Sequence, residues 1–408
     1  MAPFRNREYL MHLLSASMEA AVGGSSMIRK MFEQGLELKR RFGADNVYDF
    51  SLGNPDLPSP AGAAEALAEI ARGAEDPLAF GYCPNAGIPA VREKVAAVVS
   101  REQETPVDAS HLLMTVGAAG GITAFFRAVL EPGDEVICPS PYFVEYGSYC
   151  GHFGGRLVPV PMPAPDFGLD VAALEAAVTP RTRVLLLNNP NNPTGAVYGR
   201  ETLAAVGQML ARVNEGRDRP VFLLSDEPYR ALCYDGFEVP PILPVCPFAV
   251  VVGSYSKTLS LAGERVGYLL VNPAMPDAGR LVAALTITIR SLGFVNAPVI
   301  GQRLVAKLCD KGVDVATYQR RRDAMSEVLS GAGIRFAQPH GAFYTFAEAP
   351  GGDDKAFVAH LAGERVLGVP GSGFGRAGYV RFAFCVNEKN IRDSAPAFRR
   401  AMDTWAVR

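Results

Sequence analysis

The 408-residue chain has little of several things, and each shortage closes off a class of function. Cysteine is sparse and scattered: Cys83, Cys138, Cys150, Cys233, Cys246, Cys309 and Cys385 are odd in number and never form a C-x-x-C pair. That pattern suits neither a disulfide framework nor a zinc site, so no metal is expected, and reduced thiols in a cytoplasmic protein are. Charge of one sign is not in excess either. The formal net charge is -2, with basic residues interleaved among acids, so the chain offers no electrostatic footprint for nucleic acid or an anionic membrane. No uninterrupted apolar run approaches membrane-spanning length. Arg5, Arg7 and His12 precede only a short apolar patch that Glu19 interrupts, so no secretory segment is expected. Internal repeats and low-complexity tracts are missing too. A soluble protein is expected.

What is present is apolar residue in quantity. At 49% hydrophobic content the chain can bury one large core and a smaller one, which predicts two domains. Residues 1–24 read as a loosely structured arm ending in Gly23-Gly24-Ser25-Ser26, and Met27–Arg41 has apolar residues at helical spacing. Val47–Leu52 is strand-like and breaks at the Gly- and Pro-rich stretch 53–60. Helices are predicted over Ala61–Arg72 and from Pro89, which suits a first helical turn, through Arg101. From His111 to Ala297, short apolar runs alternate with helical patterns. The predicted strands are Leu112–Val116, Glu135–Cys138, Arg156–Val160, Val184–Leu187, Val221–Ser225, Ala249–Val252 and Gly267–Val271. That alternation argues for an α/β layer with a mostly parallel seven-stranded sheet flanked by helices. Beyond Ala297 the pattern changes to one long helix over Ile300–Leu329, whose run Tyr318–Asp323 reads as a solvated face. Strands at Ile334–Ala337 and Ala342–Phe346, a helix from Asp354 and a strand within Gly378–Phe384 follow. This is a smaller α+β domain, completed by the N-terminal segment. The boundaries expected are 1–60 for the arm and joining segment, 61–297 for the large domain and 298–408 for the small one.

Four stretches carry chemistry. The β-branched run Val250-Val251-Val252 ends in Gly253-Ser254-Tyr255-Ser256-Lys257, and Arg265 follows between Gly263 and Gly267. Lysine is scarce in this chain and mostly sits in charged surface contexts; Lys257 instead lies among Ser, Thr, Leu and Gly just past a buried strand. Desolvation and nearby cations lower the pKa of such an amine, as a Schiff base to an aldehyde requires. Arg265 with Ser254 and Ser256 makes a plausible phosphate cradle. Gly117-Ala118-Ala119-Gly120-Gly121 opens a helix after a strand, where small residues let a phosphate approach bare amides; the spacing matches neither a dinucleotide fingerprint nor a P-loop. Asn188-Asn189-Pro190-Asn191-Asn192-Pro193-Thr194-Gly195 puts amides at the C-terminal end of a buried strand, where open α/β sheets hold ligands, although turn chemistry alone also explains it. Asp226 emerges from an apolar strand and is costly there unless it meets a cation, with Tyr229 close behind.

In this order and separation, N-N-P-T-G with Asn192, Asp226-x-x-Tyr229, S-Y-S-K with Lys257, and G-E-R-V-G with Arg265 resemble the class I/II aminotransferases, pyridoxal 5'-phosphate enzymes of fold type I. The resemblance covers the chain from about Leu52 to Arg381. It assigns Lys257 to the internal aldimine and to proton transfer between Cα and C4′. Asp226 would pair with the pyridinium nitrogen, and Asn192 and Tyr229 with the ring's 3-oxygen. Gly117, Ala118 and Ala119 would hold the phosphate through the backbone, with Ser254, Ser256 and Arg265 completing the cradle. Phe143, with Tyr142 as runner-up, matches the aromatic that stacks on the ring. Tyr82 matches a tyrosine that reaches the neighbouring subunit's phosphate, which implies a homodimer with the active site at the interface. Arg381 matches the arginine that clamps the substrate α-carboxylate, assisted by Gly53 and Asn192. Arg290 loosely matches an arginine that, in dicarboxylate-specific members, crosses the interface to a side-chain carboxylate.

The reaction implied is a ping-pong exchange of an amino group between an L-amino acid and a 2-oxo acid. A β-lyase, decarboxylase or synthase on the same fold is the alternative reaction, and a non-catalytic cofactor-binding relative the alternative class. Lys257 and Arg381 together weigh against the latter. The sequence does not name the substrate.

Overall fold

The computed structural model describes residues 27–405 together with residues 13–15, 18, 19 and 22. Most of the arm expected over residues 1–24, and the glycine–serine stretch 23–26, lie outside the described residues. Strands form where apolar side chains follow one another without alternation, as suits a sheet covered on both faces. After the two-residue β1 (Tyr48–Asp49), the strands β2 (Leu112–Val116), β3 (Glu135–Ser140), β4 (Arg156–Pro161), β5 (Thr182–Asn188), β6 (Phe222–Asp226), β7 (Ala249–Ser254) and β8 (Val266–Val271) make one sheet. Its order is β2-β8-β7-β6-β5-β3-β4. The pairs from β4 to β7 are all parallel, while β8 runs antiparallel to both β7 and β2. All seven predicted strands are present, each within a residue or two at its ends. Helices cover both faces, and separate clusters of buried apolar side chains fill the space on either side.

The smaller C-terminal unit contains β9 (Tyr344–Glu348), β10 (Val366–Leu367), β11 (Val369–Pro370) and β12 (Tyr379–Ala383), with β11-β12-β9 forming an antiparallel sheet. Strand β1 pairs in parallel with β10. The N-terminal segment is stitched into this unit by packing as well, since Phe50 lies 6.4 Å from Phe382 and 6.2 Å from Phe398, centroid to centroid. The strand expected over Val47–Leu52 is shorter than predicted, because after Asp49 the backbone bonds diverge. The Phe50 amide donates to Leu367, and the Phe50 carbonyl accepts from Ala383.

Three other expectations are corrected. The long helix over Ile300–Leu329 is two helices, Val299–Leu308 and Val315–Gly331. The break carries Gly312, and Asp314 caps the second helix by accepting from the Thr317 amide at 3.3 Å. The charged run Tyr318–Asp323 is not a solvated face. Arg321 and Arg322 are buried and paired, Arg321 with Asp56 at 2.5 Å and Arg322 with Asp235 and Asp323. Two of these partners, Asp56 and Asp235, lie far away in the chain, beyond the reach of any local pattern. The strand expected over Ile334–Ala337 is a single bridge from Phe336 to Ala347. Among the described residues, no helix is long and apolar enough to cross a membrane.

Candidate active site

The sheet register sets the site. Asn188 at the end of β5 is opposite Asp226 at the end of β6, and Asp226 is opposite Val252 in β7, two residues before Ser254. Three polar groups therefore emerge at the C-terminal edge of three adjacent parallel strands, where α/β sheets open a crevice. A cavity of about 330 Å³ lies there, and the small unit contributes Tyr344 and Arg381 to its wall.

Lys257 sits on a single helical turn, Tyr255–Thr258, launched directly from β7. Ser254 caps that turn by accepting from the Ser256 amide at 3.2 Å, which points the lysine away from the sheet and toward the cavity. Its Nζ donates to the Gly53 carbonyl at 2.8 Å. Burial lowers its pKa to about 8, and the charges of Arg265 and Arg381 push in the same direction. The amine therefore passes to its nucleophilic neutral form around pH 8, well below an ordinary lysine, which is the direction its sequence context implied.

Asp226 is buried at the same edge of the sheet, at the end of the neighbouring strand β6. Its Oδ2 accepts from the Tyr146 hydroxyl at 2.5 Å, while Oδ1 is buried without a hydrogen-bond partner. Burial raises its pKa to about 7; the Tyr146 hydrogen bond opposes the rise and the Glu227 charge adds to it. A carboxylate oxygen left bare in a dry site calls for a cationic donor.

The phosphate side is built from backbone. The helix Gly117–Val129 begins with no side-chain cap, so its first amides are free to bind an anion at the positive end of the dipole. Gly117 has φ 64°, a conformation that favours glycine, and a Cβ there would lie 2.8 Å from Arg265 Nη2 and displace its guanidinium. Arg265 is itself held in the left-handed region at φ 53°, an uncommon conformation for a non-glycine residue that turns its guanidinium back toward Ser256 Oγ, 3.5 Å away. Ala118, Ala119, Ser254, Ser256 and Arg265 all line the cavity.

On the far side, Arg381 on β12 is almost fully buried. Its Nη1 donates to Asn192 Oδ1 at 3.1 Å and its Nη2 to the Ser51 carbonyl at 2.7 Å, while Nε has no partner. A buried guanidinium with an open donor is a seat for a carboxylate. Asn192 is held in turn by its backbone amide, which donates to Asn188 Oδ1 at 2.7 Å.

Of the two aromatic candidates, Phe143 lines the cavity and makes an edge contact with Tyr146, centroids 5.4 Å apart. Tyr142 instead packs against the Gly375 turn, where an added Cβ would meet its ring at 2.5 Å. Gly53, Asn192, Tyr229 and Arg381 are brought together with Lys257. Tyr82 and Arg290 are not. Tyr82 is 92% exposed on a loop beside exposed Leu78 and Phe80, and Arg290 is exposed in the last turn of the helix Ala278–Ser291. Sequence reasoning passed over Tyr146, Asn188, Tyr149 and Tyr344, which also line the cavity. Asn188 opens the asparagine-rich stretch that holds Asn192, and Tyr146 lies three residues after Phe143; those spacings were the signal available. Tyr344 carried none, because its neighbours in the site come from other parts of the chain.

The bare Asp226 oxygen, the uncapped helix beside Arg265, and the open Arg381 donor fit a ring with a protonated nitrogen, a phosphate and a substrate carboxylate respectively. Comparison with known proteins agrees. The family model described as aminotransferase class I and II matches residues 45–398. A probable aspartate/prephenate aminotransferase of Thermus aquaticus is 33% identical over 90% of this chain and 94% of its own length. A crystal structure of an amino transferase from Eubacterium rectale superposes with a TM-score of 0.92 at 36% identity, covering 96% of this chain and 99% of that one. The aspartate aminotransferase of Thermus thermophilus, solved with maleate, gives a TM-score of 0.83 at 29% identity over 96% of this chain and all (100%) of that one. The chain belongs to the class I and II aminotransferases and is a pyridoxal-phosphate-dependent enzyme that transfers amino groups between amino acids and 2-oxo acids.

Proposed function

We propose that this aminotransferase works as a cytoplasmic homodimer in which the cavity residues divide cofactor binding, proton transfer and substrate binding among them. The observation that carries the reading is a pair of buried, unpartnered groups, Asp226 Oδ1 and Arg381 Nε, in the cavity that Lys257 also lines. Pyridoxal phosphate, when bound, supplies an electron sink that lowers the barrier to breaking a bond at the substrate Cα. Asp226 holds the proton on its ring nitrogen, and Tyr229 and Asn192 take its 3-oxygen. The amides of Gly117, Ala118 and Ala119, with Ser254, Ser256 and Arg265, hold its phosphate, and Phe143 covers its ring. Lys257 Nζ moves the proton at Cα, for which an amine titrating near neutral pH is well matched. Arg381 clamps the α-carboxylate, with Gly53 and Asn192 beside it.

The dimer is supported by Tyr82, Leu78 and Phe80, whose exposure of 92%, 88% and 50% is costly for apolar and aromatic groups on one loop. In the second subunit's site Tyr82 would reach the phosphate. A dicarboxylic donor or acceptor is supported by relatives named aspartate and aspartate/prephenate aminotransferases. Lys257, Arg265 and Arg381 each have a task already, so a second carboxylate calls for a cation from elsewhere, and Arg290 of the other subunit is the candidate. The test is a panel of single half-reactions, each donor alone against the cofactor-loaded enzyme with no 2-oxo acid present. Arg290→Ala is expected to slow the half-reaction of L-aspartate and L-glutamate far more than that of L-alanine. Equal losses on all three donors, or none, would return Arg290 to the surface. Lys257→Ala is expected to abolish transamination while still binding cofactor; full turnover would overturn the site assignment.

A further inference from the structure

Tyr344 begins β9 and is buried against three other parts of the site at once. Its hydroxyl lies 3.0 Å from the Tyr229 hydroxyl. The Arg381 guanidinium carbon lies 4.4 Å from its ring centroid, with Phe374 covering the same cation at 4.7 Å. A Cβ on Gly53 would fall 1.9 Å from its hydroxyl oxygen, so Tyr344 in this position leaves no room for a side chain at residue 53. It touches the Gly53 loop, Tyr229 and Arg381 together, and no sequence motif marks it.

A phenol carries one proton. Burial pushes the Tyr344 phenol up to about 12 and Tyr229 well above the ordinary phenol value, so both hydroxyls keep their protons at working pH. Of two neutral hydroxyls in contact, one donates and the other accepts. If Tyr344 donates, the Tyr229 proton is left free to point into the cavity, and accepting a bond makes Tyr229 a stronger donor itself. If Tyr229 donated to Tyr344, its only proton would be turned away from the site. The Tyr344 ring meanwhile supplies the face on which the Arg381 fork rests, at close range and away from water, where cation–π attraction counts most.

We propose that Tyr344 is a positioning residue with two separable tasks: its hydroxyl aims the Tyr229 proton into the cavity, and its ring fixes the plane of Arg381. The proposal rests on the reading that Tyr229 donates to the cofactor's 3-oxygen. A donor there stabilises negative charge on that oxygen, so the neighbouring lysine nitrogen holds its proton less tightly. Weakening the donor therefore raises the pH midpoint of the visible band.

The experiment uses the full-length enzyme loaded with pyridoxal phosphate and titrates its visible absorption. It also measures the half-reaction with whichever of L-aspartate, L-glutamate and L-alanine the unmodified enzyme uses fastest. Tyr344→Phe keeps the ring and is expected to raise the midpoint by about 0.5–1 pH unit, the size of one net hydrogen bond. Its apparent affinity for the amino acid stays within about threefold, because the cation still rests on an aromatic face. Tyr344→Leu is expected to raise the midpoint equally and to weaken the apparent affinity by about tenfold or more, as a loosened carboxylate clamp should. Rescue of affinity but not of midpoint by phenylalanine is a split that loss of packing alone does not produce. An unmoved midpoint in Tyr344→Phe, with Tyr229→Phe shifting as expected, overturns the hydroxyl task. Equal affinities for Phe and Leu at residue 344 overturn the ring task. If Tyr229→Phe itself leaves the midpoint unmoved, the assignment of Tyr229 falls and takes this proposal with it.

Discussion

The Tyr146 hydroxyl donates to Asp226 Oδ2 at 2.5 Å and leaves Oδ1 facing the cavity alone. One oxygen is satisfied by the protein so that the carboxylate can stay ionised in a dry place and spend the other on a ligand. Burial pulls the pKa of Asp226 up to about 7, and Tyr146 is the group that opposes it. In the cofactor-free protein Tyr146→Phe is expected to raise that pKa further, by about one unit for the loss of a charge-assisted bond, and to carry the fall of stability with pH to correspondingly higher pH. Thermal scans of the cofactor-free variant across pH 5–9 check this; an unmoved stability profile would show that Tyr146 does not hold the carboxylate.

Asp226 has a stability consequence in the cofactor-free protein. A carboxyl whose folded pKa lies above its unfolded value binds more protons folded than unfolded, so stability falls as pH rises from about 4 toward 7. Asp226→Asn removes a buried charge that has no cationic partner. The cofactor-free variant is expected to melt higher than the unmodified protein at pH 8 and at the same temperature at pH 4. Loaded with cofactor, Asp226→Ala is expected to abstract the Cα proton slower by about two orders of magnitude or more, because the electron sink is lost. Thermal scans at the two pH values and single-turnover kinetics separate the two effects. A cofactor-free Asp226→Asn that melts lower at pH 8 would mean the carboxylate is already compensated.

Lys257 gives a kinetic signature. Its pKa is lowered to about 8 by burial first, with Arg265 and Arg381 adding their charge. Only the neutral amine attacks an aldehyde, so recombination of the cofactor-free protein with pyridoxal should speed up with pH and level off just above pH 8. Using the unphosphorylated aldehyde keeps phosphate titration out of the profile. A rate still climbing at pH 10 would place the lysine in an ordinary solvated environment.

The ion pair between Arg321 and Asp56, 2.5 Å apart, ties the helix Val315–Gly331 to the loop that carries Gly53. Arg321 is buried, so removing its partner strands a charge, at a cost of about 3 kcal/mol or more. Asp56→Ala is therefore expected to lower the melting temperature by several degrees. Asp56→Ala with Arg321→Met, which removes both charges, should recover most of that loss. Denaturation of the single and double variants checks it, and additive losses would refute the pairing.

Much of this protein was already decided by local pattern. Most of the seven apolar runs ended at Gly, Asn, Asp or Ser, and a run buried on both sides suits a sheet covered on both faces, as β5, β6 and β7 are. The residues of the site that follow strands directly, Asn192, Asp226 and Lys257, were readable for the same reason: the strand end places them, and the strand was visible. What the tertiary structure decided is everything that depends on distant partners. Arg321 and Arg322 read as a solvated stripe because their acids, Asp56 and Asp235, lie elsewhere in the chain, and only folding buries the cations and pairs them. The long helix over Ile300–Leu329 was periodic enough to look continuous; it breaks where Asp314 caps a new helix and the Val313 amide bonds to the Thr258 carbonyl beside Lys257. Tyr344 is the clearest case. Nothing within a few residues of it suggests a role, yet packing brings its hydroxyl to Tyr229, its ring to Arg381 and its edge to Gly53. A side chain that works by touching three remote segments has no local pattern to announce it.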